Sequence, residues 1–286
     1  MNNASAAELV NGVGGLITLP DVFIRINRLI EDPESTLDDI VRVASQDPSF
    51  TVRLLQVANS PFYGFSSSVE TVARAVTLIG TGQVRNLALS TSVAKTFAGL
   101  PNALVSMDNF WQHSLYCALA ARILAGRAGR MEPEAMFTAG MLHDIGELVI
   151  FNRLPEKAKE ALERVLDSGD EMPVHRAERE VMGLDHAQVG GELARQWNLP
   201  PLLQECTAFH HDIGSAQHYP RETAVVHIAN NLALMAEVDT LDPNDVPPFG
   251  ERAWEIAGLS AEEVSEPVIR EAQAEIAEAR KAFLGD

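Results

Sequence analysis

Residues 141–150 read MLHDIGELVI, and the adjacent pair His143–Asp144 inside this apolar run is the starting point for the whole chain. The composition of the run predicts one helix from Glu134 to Phe151. Core packing does not ask for an imidazole and a carboxylate there, because burying either without a partner is costly. A bound cation satisfies both at once, since imidazole nitrogen and carboxylate oxygen are ligands for zinc, iron, manganese and similar divalent ions. Adjacent helical residues point about 100° apart. The doublet therefore serves one ion only from a crevice between helices, and other helices must bring the remaining ligands.

The chain offers further histidines on or beside predicted helices: His113, His186, His210, His211 and His227. A lone histidine is ordinarily a surface or hydrogen-bonded residue. His175 and His218 lie in polar segments and are read as surface residues. His227 shares a helix face with Asn230 and Asn231.

Outward from this point the pattern is helical almost throughout, which predicts an all-α, multi-helix fold. Thr36 with Asp39 approximates a capping box before Leu37, Ile40, Val41 and Ala44. Asp47-Pro48 supplies an N-cap and a first-turn proline for the next helix, which Asn59-Ser60-Pro61 stops. Val72, Ala75, Val76 and Ile79 form another, ended by Gly80. Asp108 is the expected cap of a long helix carrying His113. Asp185 is the expected cap of a helix that runs through Trp197, with His186 in its first turn. A short helix from Pro200 ends near His210-His211, and Arg221 to Ala236 follows. The NSPFYG corner reads as a helix stop and packing corner, or alternatively as a partner-docking surface presenting Phe62, Tyr63 and Phe65. A break at Pro101-Asn102 suggests an N-terminal helical segment over 12–100 and a second helical core over 101–240. A linker and C-terminal docking helices occupy 241–286.

Composition narrows the function classes. The 286 residues are 46% hydrophobic and 6% aromatic, a globular balance rich in helix formers. Lys plus Arg number 22 against 40 Asp plus Glu, for a net charge of −18. Such a chain repels nucleic acid and anionic membrane at long range, while a local site can still take a small anionic ligand. Cys117 and Cys206 form no C-x-x-C pair. The N-terminal residues lack the features of a signal peptide, and no run is long and apolar enough to span a membrane. The expected setting is cytoplasmic.

The residues also resemble a known family. LPDVFIRINRLIEDPESTLDDIVRVASQDPSFTVRLLQVANSPFYG and AVTLIGTGQVRNLALS are similar to the opening of the HDOD family, the HD-related output domains of bacterial signalling proteins. The resemblance covers roughly residues 12–236, which implies one domain over about 12–240. WQHSLYCALAARILA, MLHDIGELVI and the HH pair are similar to the wider HD superfamily of metal-dependent phosphohydrolases. The resemblance implies a metal site in which His113 matches the first histidine and His143 and Asp144 match the doublet. His186, His210 and His211 match additional metal-binding histidines of the cyclic-dinucleotide phosphodiesterases. In VVHIANNLALM the terminal Ala-Asp pair of the superfamily is Ala229-Asn230, so Asn230 stands where a charged ligand is the rule, with His227 as the alternative occupant. The loop that follows the HH pair in those phosphodiesterases is reduced to Tyr219-Pro220.

These features imply a freestanding signal-transduction or regulatory protein, non-catalytic or weakly catalytic. It would work by binding a signalling protein partner or a small anionic ligand. The alternative is a metal-dependent phosphohydrolase acting on a nucleotide or cyclic dinucleotide, with Asp144 as the catalytic residue and Fe, Mn, Zn, Mg or Ni as the ion.

Overall fold

The computed structural model describes residues 5–11, 20–60, 63–65, 67–98, 105–168, 172–246, 249–250 and 252–284. Their regular elements are all helices, with no strand among the described residues. In chain order the helices are α1 (Ala6–Asn11), α2 (Asp21–Glu31), α3 (Leu37–Gln46), α4 (Pro48–Ala58), α5 (Val72–Ile79), α6 (Thr81–Ala98), α7 (Met107–Ala128) and α8 (Pro133–Leu142). They continue with α9 (Ile145–Arg153), α10 (Pro155–Asp167), α11 (Val174–Met182), α12 (His186–Gln196), α13 (Pro201–Phe209), α14 (Pro220–Glu237), α15 (Ala253–Ala257) and α16 (Ala261–Phe283).

The chain divides into two units, one of Met1–Leu16 with Leu100–Gln273 and one of Ile17–Gly99 with Ala274–Asp286. The Pro101-Asn102 break lies outside the described residues.

In the second unit, local chemistry accounts for the helix ends. Thr36 and Asp39 form a reciprocal capping box at α3. The Asp47 carboxylate accepts from Phe50 N–H at 2.9 Å, with Pro48 at the first helical position of α4. Asn59 closes the following loop by clamping Val69. Its Oδ1 accepts the Val69 N–H at 2.7 Å, and its Nδ2 donates to the Val69 carbonyl at 2.8 Å. Tyr63 and Phe65 stack at 5.8 Å on this loop, whereas Phe62 lies outside the described residues. Gly80 ends α5 at φ +90°, a backbone that favours glycine.

In the first unit, α7 packs on α8 and α14, and α12 packs on α9 and α13. Two crossings are close enough to require glycine. A Cβ on Gly140 of α8 would lie 2.8 Å from the backbone of Ala118. A Cβ on Gly146 of α9 would lie 2.0 Å from the His186 carbonyl and 2.6 Å from Gly190 N.

Two sequence expectations are corrected. α7 begins after Ser106, which occupies the N-cap position, and Asp108 sits inside the first turn. There it faces the helix dipole without capping it. The helix expected over Glu134 to Phe151 is two helices, α8 and α9, separated at His143 and Asp144. His143 keeps helical angles, but Asp144 leaves them at φ −96° and ψ 11°.

Candidate metal centre

That break sets the direction of the doublet. Asp144 occupies the N-cap position of α9 but makes no side-chain capping bond, so its carboxylate is available to the crevice between helices. Around it converge His113 from α7, His143 from the break, His186 from the first position of α12, and His210 and His211 from the end of α13. His143 and His210 are fully buried, with His186 at 2% and Asp144 at 8% exposure.

Asp144 faces ligand-type nitrogens on both of its oxygens. Oδ2 lies 3.0 Å from His143 Nε2 and 3.5 Å from His113 Nε2. Oδ1 lies 3.3 Å from His186 Nε2 and 3.3 Å from His210 Nε2. Two donor sets therefore share this one carboxylate: His113, His143 and Asp144, and Asp144, His186, His210 and His211. Asn230 from α14 joins the first set, its Oδ1 3.0 Å from His113 Nε2.

The imidazoles are oriented from behind. His143 Nδ1 donates to the Gly140 carbonyl at 2.7 Å, and His210 Nδ1 to the Thr207 carbonyl at 2.9 Å. His186 Nδ1 donates to Glu178 Oε2 at 2.7 Å, and His113 Nδ1 to Glu237 Oε1 at 3.2 Å. With the proton assigned to Nδ1 by these partners, each ring presents an Nε2 lone pair inward. This is the outer-shell arrangement typical of metal-binding histidines.

The donor set fits a divalent cation. Among the described residues, His143 Nε2, Asp144 Oδ1 and His210 Nε2 are buried and find no hydrogen-bond partner, a costly condition for three converging polar atoms. His186 Nε2 and His211 Nε2 also face each other at 3.0 Å, so one ring donates to the other unless an ion stands between them.

Protons carry the balance where no cation does. Burial opposes charge on His113, but Asp144 and Glu237 outweigh it and raise its pKa to about 10. Burial likewise opposes charge on His143, and Asp144 raises it to about 10. His186 is held well above its usual value because Glu178 and Asp144 overcome burial. Asp144 is held well below the carboxylate range, as His143, His113 and His186 overcome its burial. His210 has the opposite fate, with burial lowering it to about 4. His211 also falls well below its usual value, through burial and the neighbouring His210 and His186.

His227 stands apart. Its Nδ1 donates to the His210 carbonyl at 2.7 Å and its Nε2 accepts the Gly250 N–H at 2.8 Å. Both nitrogens are committed to backbone, so His227 supports the chain around His210 and contributes no free donor. His218 is a surface residue as expected, its side chain 77% exposed. His175 is not: it stacks on His211 with centroids 4.0 Å apart and 19° between planes.

Three carboxylates were not singled out from the sequence. Glu178 is 2% exposed, four residues before the buried Met182 on the apolar face of α11, where a hydrophobic residue is the rule. That misplacement was the available signal. Glu147 follows Asp144 by one helical turn, and burial with the nearby Asp144 charge raises its pKa to about 8. Glu147, Glu178 and His186 form a further donor trio, but His186 Nδ1 already holds a hydrogen bond to Glu178. Glu237, at the end of α14, gave no signal in sequence.

The HDOD domain model matches residues 16–213. An HDOD domain protein with unknown function from Geobacter sulfurreducens is 22% identical, with a TM-score of 0.74 and 98% of each chain covered. A protein from Shewanella amazonensis SB2B, named as a candidate phosphohydrolase, is 26% identical, with a TM-score of 0.76 and 98% of each chain covered. An uncharacterized protein of Treponema pallidum (strain Nichols) is 26% identical over 226 residues, which are 79% of this chain and 43% of that protein. The chain thus spans less than half the length of this curated relative.

Proposed function

The chain belongs to the HDOD domain family, and from that premise we propose that it is a metal-dependent phosphohydrolase acting on a nucleotide or cyclic nucleotide, with two cation positions bridged by Asp144. The observation that carries this reading is the sharing of Asp144 between two donor sets. The similarity to the Shewanella candidate phosphohydrolase points the same way. His113, His143, Asp144 and Asn230 would hold one ion. Asp144, His186, His210 and His211 would hold the other.

Such ions supply Lewis-acid activation of water and charge against the phosphoryl oxygens. The chain's own residues do the rest. Glu237, Gly140, Glu178 and Thr207 fix four imidazole rings in one tautomer. Asp144, held as an anion, would serve both positions. Glu147, which burial and the Asp144 charge raise to about 8 when no cation is bound, stands beside the cluster. His113 and Glu237 are the cluster's partly exposed members, with side chains 15% and 26% exposed.

A second reading is favoured by Asn230. A neutral amide in the first position lowers its charge and its hold on an ion, which suits a regulatory module that binds ligand or a signalling partner without turnover. Metal-supplemented assays with bis(p-nitrophenyl) phosphate and cyclic dinucleotides separate the two. Turnover by wild type that is lost in Asp144→Ala supports the phosphohydrolase. Absence of turnover with Mn²⁺, Fe²⁺, Zn²⁺, Ni²⁺ and Mg²⁺ leaves the regulatory reading.

A further inference from the structure

We infer that α11 is the positioning element for one of the two cation positions, with Glu178 orienting His186 and His175 orienting His211, neither residue binding the ion itself. The inference rests on the two-position reading above.

His175 and Glu178 are three residues apart and so share a face of α11. Glu178 Oε2 accepts two hydrogen bonds from one residue: the His186 backbone N–H at 2.9 Å and His186 Nδ1–H at 2.7 Å. It thereby fixes the ring and, at the first position of α12, satisfies a helix N-terminal N–H. The α11–α12 connection is held shut. Gly183 turns the chain at φ +79°. Arg179 Nε meets Asp185 Oδ2 at 2.5 Å, and Asp185 caps α12 through Gln188 N–H.

His211 is the exception among the clustered histidines. His113, His143, His186 and His210 are each anchored through Nδ1, whereas His211 has no such bond among the described residues. Its ring is held by the stack on His175. These contacts go to His186 and His211, which serve one position. The other position is held by α7, the α8–α9 break and α14. Among the described residues, the bonds and stacks that α11 makes to the clustered histidines thus go to one position.

Calorimetric and visible-absorption titration with Co²⁺ tests this. Wild type is expected to take up two ions. Glu178→Ala and His175→Ala are each expected to weaken one of the two by ~10–100-fold, the usual cost of losing an outer-shell partner, with the other unchanged. His175→Phe, which keeps a flat ring for the stack, is expected to restore the wild-type isotherm and spectrum. Equal weakening of both ions, or no weakening, overturns the inference, as does a His175→Phe protein that behaves like His175→Ala. Wild type that takes up fewer than two ions overturns the two-position reading itself, and this inference with it.

Discussion

His113 Nε2 and Asn230 Oδ1 face each other across 3.0 Å, with Asp144 Oδ2 3.5 Å from the same nitrogen. The amide oxygen is placed as a carboxylate oxygen would be, but carries no charge. Asn230→Asp is therefore expected to tighten Mn²⁺ binding at this position by about tenfold or more, in line with the sensitivity of such sites to ligand changes. Calorimetric titration checks it. Unchanged affinity would show that Asn230 lies outside the ligand set.

His227 was the rival for that slot, and its two backbone bonds argue for a different outcome on substitution. His227→Ala leaves the His210 carbonyl and the Gly250 N–H without partners, an expected loss of about 1–3 kcal/mol. The number of bound ions is expected to stay at the wild-type value. Urea unfolding with metal analysis measures both, and loss of an ion would return His227 to the site.

Gly146 reports on the seating of His186. A Cβ there meets backbone atoms of α12 at 2.0 and 2.6 Å, and backbone cannot yield as a flexible side chain can. Gly146→Ala is expected to cost about 3 kcal/mol by overpacking and to disturb the His186 side of the cluster. A variant as stable as wild type in urea would contradict the tight α9–α12 approach.

The titrating groups predict an optimum in the stability of metal-free protein. His175 and His210 sit near 4 in the fold against 6.5 unfolded, and His211 is lowered too. Between pH 6.5 and 4 the unfolded chain therefore takes up protons that the fold refuses, and stability falls on acidification. Glu147, at about 8 against 4.5, opposes this alone. His113 and His143, at about 10, contribute stability that is complete below 6.5 and is lost as pH rises through 10. Tm in chelator is expected to peak near pH 6.5 and fall on both sides. Added Zn²⁺ is expected to offset the alkaline fall, because metal uptake needs neutral imidazoles. A Tm that keeps rising from pH 7 to 9 without metal would refute the assignment.

Much of the helical fold was legible because its signals are local. Thr36 with Asp39, Asp47-Pro48 and Asp185 mark helix starts through bonds made within four residues. The break at His143–Asp144 was not legible. No proline stands at it, and Asp144 sits at an N-cap position while its carboxylate is turned to the histidines. The tertiary cluster, more than the local sequence, defines that break. Among the clustered residues, the histidines stood out through the cost of burying the doublet and through family resemblance. Glu147 and Glu178 did not, because a glutamate in a helix ordinarily reads as solvated. His175 was hidden by the charges around it in VHRAERE, since ring stacking between α11 and the end of α13 leaves no periodic trace.

The four imidazoles anchored through Nδ1 have a consequence for the thermodynamics of ion uptake. Immobilising a rotamer-rich side chain at the moment of binding costs about 0.5–1.5 kcal/mol. Here the rings are immobilised when the helices pack, so that entropy is lost during folding. What remains at uptake is stripping water from the ion and releasing protons from His113, His143 and His186. On the proposed reading, the fold would hold its coordination sphere ready before the ion arrives, and discrimination among cations would follow from how well each ion fits that frame.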